Sequence, residues 1–193
     1  PWVAELRDLW TDNHAYAYPA WRRFIERRWE RRLLASAEAL VSVSPPLVDM
    51  LKHYSKPVWE IRNGYDPDDL DEITDIQLTN TDELQVAYTG SIYSGHHDLD
   101  TFCAGIARYV EGGGRIRVRA VGRNVSPLMR AAACHGVDHL FDVQAALPRP
   151  EALRLQRSAD VLLMFLWNGE KEGIYTTKLF EYAGARRPIL AVG

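Results

Sequence analysis

Residues 172–182, Glu172-Gly173-Ile174-Tyr175-Thr176-Thr177-Lys178-Leu179-Phe180-Glu181-Tyr182, hold the groups needed to bind a phosphate and a sugar hydroxyl at once. A small, hydroxyl-rich loop that opens a helix leaves backbone N–H groups free and sets the positive end of the helix dipole at its mouth. Lys178 adds a full charge there. Glu181 follows about one helical turn further in, so a ligand anchored at the mouth would bring a hydroxyl-bearing part within the carboxylate's reach. A phosphate joined to vicinal hydroxyls is a nucleotide. The same residues also fit a plain helix start, with Thr176 or Thr177 as the cap, Lys178 in solvent and Glu181 meeting the dipole.

The surrounding pattern decides between these two. From Leu84 onward, strands and helices alternate: strand Leu84 to Thr89, helix Asp98 to Val110, strand Ile116 to Val121, helix Ser126 to Cys134, and a short strand near Leu140 to Val143. Helix Pro150 to Arg157, strand Val161 to Trp167, helix Lys178 to Ala185 and strand Pro188 to Val192 follow. Before Leu84 the same alternation predicts strand Val3 to Arg7, helix Trp21 to Ala37, strand Ala39 to Ser44, a helix opened by Pro45-Pro46 and ending near Tyr54, and strand Val58 to Arg62. Strands separated by helices of this size imply parallel sheets with right-handed crossovers, and such sheets take ligands at the carboxyl ends of their strands. Gly90-Ser91, Gly122-Arg123-Asn124 and the Thr-Thr-Lys helix start all fall at such ends. Three loops facing one crevice favour a shared nucleotide site over three unrelated turns.

At 193 residues, 47% hydrophobic and 25% charged, the chain can bury a core of one or two domains and is not a disordered tail. The segment Asn63-Gly64-Tyr65-Asp66-Pro67-Asp68-Asp69 is dense in turn formers, and apolar residues stay sparse to Leu84, so 67–83 reads as a linker between a unit at 1–66 and a unit at 84–193. No apolar run is long enough to span a bilayer, and the N-terminal residues lack a secretion signal. Cys103 and Cys134 show no paired spacing, which suits packed thiols in a reducing cytoplasm.

In order along the chain, Asn63-Gly64-Tyr65-Asp66, Tyr88-Thr89-Gly90-Ser91, Val121-Gly122, Ser158-Ala159-Asp160-Val161, and Lys178-Leu179-Phe180-Glu181-Tyr182 through Pro188-Ile189 resemble retaining nucleotide-sugar glycosyltransferases of the two-Rossmann-domain (GT-B) type, family four in particular. The resemblance covers nearly the whole chain. It implies an α/β fold of two Rossmann-like parallel-sheet domains, here incomplete at both ends: the second half of an acceptor domain and most of a donor domain. It implies transfer of a hexose-like unit from a nucleotide-diphosphate sugar, with retention, and no cofactor or metal beyond that donor. Glu181 would bind the donor ribose. Gly173, Ile174, Tyr175, Thr176 and Thr177 would meet the donor sugar and diphosphate through backbone amides, with Lys178 beside them, Gly90-Ser91 near the diphosphate and Gly122-Arg123 near the nucleotide. Positive charge and N–H donors would stabilise the leaving diphosphate. Asp8, at the end of the first strand, would touch the acceptor; a strand-end turn or an ion pair with Arg7 is the plainer account of it.

Two features depart from the family pattern. Where many relatives carry basic residues after the first-loop glycine, this chain has Ser91, Ser94, His96 and His97, which shifts diphosphate neutralisation toward Lys178 and Arg123. Glu172 and Glu181 are separated by eight residues where many relatives have seven between two glutamates, so Glu172 fits a plain loop acid as well as a catalytic or sugar-contacting role. A non-catalytic nucleotide-binding or interaction module is therefore the alternative to an enzyme. Missing strands would leave sheet edges open to self-association.

The predicted helix from Trp21 has its own signal. Arg22, Arg23, Arg27, Arg28, Arg31 and Arg32 against Glu26 and Glu30 give this segment +4 while the whole chain is −3, leaving −7 elsewhere. Arg23, Arg27 and Arg31 repeat at the spacing that sets like charges side by side. An anionic membrane surface met by Arg22, Arg23, Arg27 and Arg31, at the inner face of the membrane, would offset that repulsion; Arg28 and Arg32 interrupt the apolar sector of Trp21, Ile25, Trp29 and Leu33, which also suits a solvated helix. His96-His97-Asp98 and Cys134-His135 with His139 lack closed metal-site spacing and fit turns and caps. The acidic balance gives nucleic-acid binding no support.

Overall fold

The computed structural model describes residues 1–13, 17–71, 73, 82–167 and 176–193. These form two compact units, one built on Pro1–Gly64 and the other running from Tyr65 onward and including Lys178–Gly193.

The first unit is a parallel sheet of β1 (Val3–Leu6), β2 (Ala39–Ser42) and β3 (Val58–Glu60), in that order, with α1 (Ala20–Ala35) and α2 (Pro45–Leu51) as crossovers. Pro45 and Pro46 start α2 without costing a helical bond, since the first-turn N–H groups have no partner inside the helix. Ala4, Leu9, Leu34, Ala37, Leu40 and Leu51 make the core of this unit. The strands end sooner than the sequence predicts because pairing ends: the last partner of Leu6 is Ser42, and β3 stops at Glu60.

The second unit carries α3 (Pro67–Asp71), β4 (Leu84–Thr89), α4 (Leu99–Glu111), β5 (Ile116–Val121), α5 (Ser126–Cys134), β6 (Phe141–Gln144), α6 (Arg149–Ser158), β7 (Val161–Phe165), α7 (Thr177–Ala185) and β8 (Ile189–Val192). Its five strands are parallel in the order β6-β5-β4-β7-β8. The order reverses between β4 and β7, the place where doubly wound sheets open a crevice. Alternation along β4 serves two cores. Val86 and Tyr88 join Phe102, Ile106, Val118 and Leu128 on one face, while Ala87 joins Leu162, Met164, Tyr182 and Ala185 on the other.

Within the stretch read as a linker, Pro67–Asp71 is helical, and Leu70 packs with Ile73 and Leu153. The Asp66 carboxylate accepts the Asp68 N–H at 3.0 Å, which satisfies a first-turn donor. A side chain at Gly184 would meet Tyr65 at 2.7 Å, so α7 lies flush against the start of this unit.

Cys103 is buried and burial pushes its thiol up to about 12, whereas Cys134 is exposed, so only one of the two expected packed thiols is packed. Asp98 caps α4 by accepting the Thr101 N–H at 3.0 Å. Among the described residues, no helix is long and apolar enough to cross a membrane.

Candidate functional site

The loops after β4 and β5 are pressed together by backbone bonds. Gly90 N–H donates to the Val121 carbonyl at 2.8 Å, Ile92 N–H to Arg123 at 3.3 Å, and Gly122 N–H to Gln144 at 3.2 Å. Glycine is required at both corners. Gly90 has φ +145° and Gly122 φ +154°, where a Cβ is strained. A Cβ on Gly122 would collide with the Gly90 carbonyl, and one on Gly90 with the Lys178 ammonium.

Lys178 reaches back across this corner. Its Nζ donates to the Thr89 carbonyl and stands 5.1 Å from the centroid of the Tyr88 ring. Burial lowers its pKa from the usual lysine range, and the nearby Glu181 charge partly opposes that. One residue past Glu181, the buried Tyr182 hydroxyl accepts the Thr89 N–H at 3.0 Å; burial raises its pKa to about 12, so it stays neutral. On the other face, the Tyr88 hydroxyl donates to the Ser91 carbonyl at 2.7 Å.

Glu181 is held from two sides. Arg149 Nη1 donates to its Oε1 at 2.9 Å, and Gln156 Nε2 to its Oε2 at 3.2 Å. Arg149 is itself fixed by Asp69, to whose Oδ2 its Nε donates at 2.9 Å, and this hydrogen bond raises the guanidinium's pKa further. Gln156 is 1% exposed and also donates to Thr89 Oγ1 at 2.9 Å, while its Oε1 is buried without a hydrogen-bond partner among the described residues.

These groups surround a cleft of about 390 Å³ at the carboxyl ends of the strands. Of the residues singled out in the sequence, Gly90, Ser91, Gly122, Arg123, Lys178 and Glu181 line it together. Thr176 precedes α7 and Thr177 begins it, and neither lines the cleft. Glu172, Gly173, Ile174 and Tyr175 lie outside the described residues. Asp8 belongs to the first unit, exposed just beyond β1. Its supposed partner Arg7 instead gives its Nε to Glu5 at 2.7 Å, because Glu5 and Arg7 point to the same side of an extended segment.

The sequence reading did not single out Arg149, Gln156 or Asp69. Arg149 stands between Pro148 and Pro150 as the first residue of α6, where the loop after β6 ends, so the strand-end rule that found Gly90 and Gly122 extends to it. Gln156 follows Leu153 by three positions on the buried side of α6, a polar residue at core spacing. Nothing local marks Asp69, whose partner is 80 residues away.

The cleft thus offers the cations Lys178, Arg123 and Arg149, a glycine corner open to close approach, and one oriented carboxylate. That set suits an anionic group joined to hydroxyls.

No protein-family profile and no curated protein sequence matches the chain. Solved structures do match. WaaG, a glycosyltransferase involved in lipopolysaccharide biosynthesis, is 18% identical with a TM-score of 0.65, over 98% of this chain and 55% of WaaG. Alr3699/HepE from Anabaena, in complex with UDP and glucose, is 14% identical with a TM-score of 0.66, over 99% of this chain and 52% of its own. Sucrose-phosphate synthase from Thermosynechococcus elongatus is 15% identical with a TM-score of 0.62, over 98% and 49%. At these identities the likeness is one of fold, and the fold is the two-Rossmann GT-B fold of glycosyltransferases. The chain spans about half the length of these proteins.

Proposed function

We propose that the chain is part of a retaining glycosyltransferase of family four that takes a hexose-like unit from a nucleotide-diphosphate sugar. The observation that carries this is the gathering of Gly90, Gly122, Arg123, Lys178 and Glu181 around one cleft, in a fold shared with glycosyltransferases. In this reading Glu181 accepts the ribose hydroxyls, its two oxygens aimed by Arg149 and Gln156. Lys178 and Arg123 meet the diphosphate, and their charge together with loop N–H groups stabilises the leaving group as the glycosidic bond breaks. HepE was crystallised with UDP and glucose, which makes a uridine-diphosphate sugar the first donor to try. No cofactor enters this reading. The Gly173 to Thr177 loop keeps the sugar- and diphosphate-contacting role that the resemblance implies, Asp8 keeps the acceptor-side role, and Glu172 fits a plain loop acid as well as a sugar contact.

Calorimetric titration of nucleoside diphosphates against wild type and Glu181→Ala tests the donor site. Loss of a hydrogen bond to a charged group should weaken binding by about 1.5–3 kcal/mol. Unchanged affinity would remove Glu181 from the site and the reading with it. Nucleotide binding without sugar transfer to any acceptor, by the longer protein as well, would favour a non-catalytic nucleotide-binding module. Proton NMR of the product's anomeric centre reads retention directly.

Two partner proposals belong with it. One is a peripheral location at the inner, cytoplasmic face of an anionic membrane. The other is self-association through the sheet edges, which are β1, β3, β6 and β8 among the described strands; sedimentation over a concentration series reads it.

A further inference from the structure

Between Ser91 and Asp98 the loop after β4 has no lysine or arginine; its ring-bearing residues are Tyr93, His96 and His97. These gather at the end of β7. His97 stacks on Phe165, with ring centroids 5.5 Å apart and 18° between the planes, and meets Tyr93 edge-on at 5.7 Å. His96 and Tyr93 lie 4.5 and 5.4 Å from the Trp167 ring. Phe165 is buried in the core below, but Tyr93 is 49% exposed, His96 is exposed and Trp167 is half-buried, so the outer rings keep apolar surface in solvent. Aromatic surface held at the rim of a cleft, with a few polar tips among the rings, is the usual lining of a small-molecule site. The cluster is also uncharged. His97 accepts the Tyr93 N–H through Nδ1 at 3.4 Å, which leaves the ring proton on Nε2; burial lowers its pKa below the usual imidazole range, and Lys178 and His96 lower it further.

Strand order sets what the cluster can meet. The sheet runs β6-β5-β4-β7-β8; the cleft is lined from the ends of β4, β5 and β6, whereas the cluster stands at the ends of β4 and β7. Lys178 is at the border between them. Its Nζ donates to the carbonyl of Thr89, the last residue of β4, and its charge acts on His97. Glu181 is tied to Arg149, which follows β6. A nucleoside diphosphate with its ribose at Glu181 and its phosphates at Lys178 therefore points its far end, beyond the second phosphate, at Tyr93, His96 and Trp167.

We infer that Tyr93, His96 and Trp167 form a platform on which the hexose of the donor stacks, and that this hexose is an uncharged one. The inference rests on the donor-site reading and adds to it the class of sugar and the side chains that select it. A pyranose is amphipathic: its faces present C–H groups and its rim presents hydroxyls. Aromatic rings take a C–H face, and the Tyr93 hydroxyl and the His97 Nε2–H are polar groups of the kind that meet the rim. A uronate would instead set a carboxylate over neutral rings, one residue from the Asp98 carboxylate, with Lys178 engaged by the diphosphate. Desolvating a charge without a partner is unfavourable, so the cluster selects against it.

Calorimetric titration of the chain with UDP, UDP-glucose, UDP-galactose and UDP-glucuronate tests this, with GDP, GDP-mannose and GDP-mannuronate as the set for a guanine donor. The better neutral sugar nucleotide should bind about ten-fold tighter than its uronate. Tyr93→Ala and His96→Ala should each weaken that neutral sugar nucleotide by about five-fold and leave the nucleoside diphosphate as in wild type. Both side chains are exposed, so thermal midpoints should hold. The neutral sugar nucleotide should also change the tryptophan emission in a way that the nucleoside diphosphate does not, and Trp167→Phe should remove that difference. Equal losses for nucleoside diphosphate and sugar nucleotide in Tyr93→Ala would put the base on the rings, and no loss for either would leave the cluster to loop packing. A uronate bound as tightly as the neutral sugar would remove the selection. Each of these overturns the inference while nucleoside diphosphate binding, and with it the site at Glu181, stands. Only failure of both UDP and GDP to bind reaches the donor-site reading, and it takes this inference with it.

Discussion

Arg149 and Glu181 meet at 2.9 Å across the cleft, a bond between the first turn of α6 and the middle of α7. A carboxylate has about four acceptor positions, so one bond from Arg149 and one from Gln156 leave room for two hydroxyls. The pair therefore aims the carboxylate without filling it. Arg149→Met should weaken nucleoside diphosphate binding by about 1–3 kcal/mol, and less in the Glu181→Ala background, because part of its effect passes through Glu181. A double-mutant cycle by calorimetry checks this, and strict additivity would mean that Arg149 acts alone.

Asp69 fixes Arg149 from the other side, and the pair is partly exposed, so its own contribution to stability is small. Asp69→Asn should leave the thermal midpoint within a few degrees of wild type while weakening nucleotide binding, since a guanidinium no longer held by Asp69 also loosens Glu181. Equal losses of stability and binding would instead assign Asp69 a structural role.

The Tyr182 hydroxyl is the partner of a strand-end amide, Thr89 N–H, at 3.0 Å in a fully buried setting. Tyr182→Phe removes that acceptor, and an unsatisfied buried donor costs about 1–3 kcal/mol. Urea unfolding should show that loss with an unchanged slope. Gly122→Ala should cost at least as much, about 1–3 kcal/mol for the backbone strain alone, with the Gly90 carbonyl also displaced. It should therefore weaken nucleotide binding, which Tyr182→Phe does less.

The alternation of strand and helix was legible because it is a local signal: β4, β5 and α5 have the bounds that periodicity gives them. Gly90 and Gly122 were legible because a strand-end glycine has few other uses. What the sequence hid was pairing at a distance. Gln156 is 67 positions from Thr89, and Asp69 is 80 from Arg149, and no spacing rule joins them. The linker reading of 67–83 overlooked α3 because an acidic, proline-led segment looks like a turn until Leu70 finds Leu153. The orientation of α1 was hidden for the opposite reason. Periodicity found its apolar stripe but could not show that Glu30 and Thr11 would take the inner face.

Lys178 gives the cleft a pH dependence whose sign can be worked out. Burial lowers its folded pKa below the ordinary 10.5, so between the lowered value and 10.5 the unfolded chain binds more protons and stability rises with pH. Below that window the buried charge costs stability, and Lys178→Met, which has no charge to bury, should show no such rise. An anionic ligand reverses the preference, because a diphosphate at the helix mouth favours the ammonium and raises its pKa. Nucleoside diphosphate affinity should accordingly fall as pH climbs through the lowered pKa, with proton uptake on binding inside the window. Calorimetry in buffers of different ionisation enthalpy measures that uptake. Binding that takes up no proton anywhere below 10.5 would place the diphosphate away from Lys178.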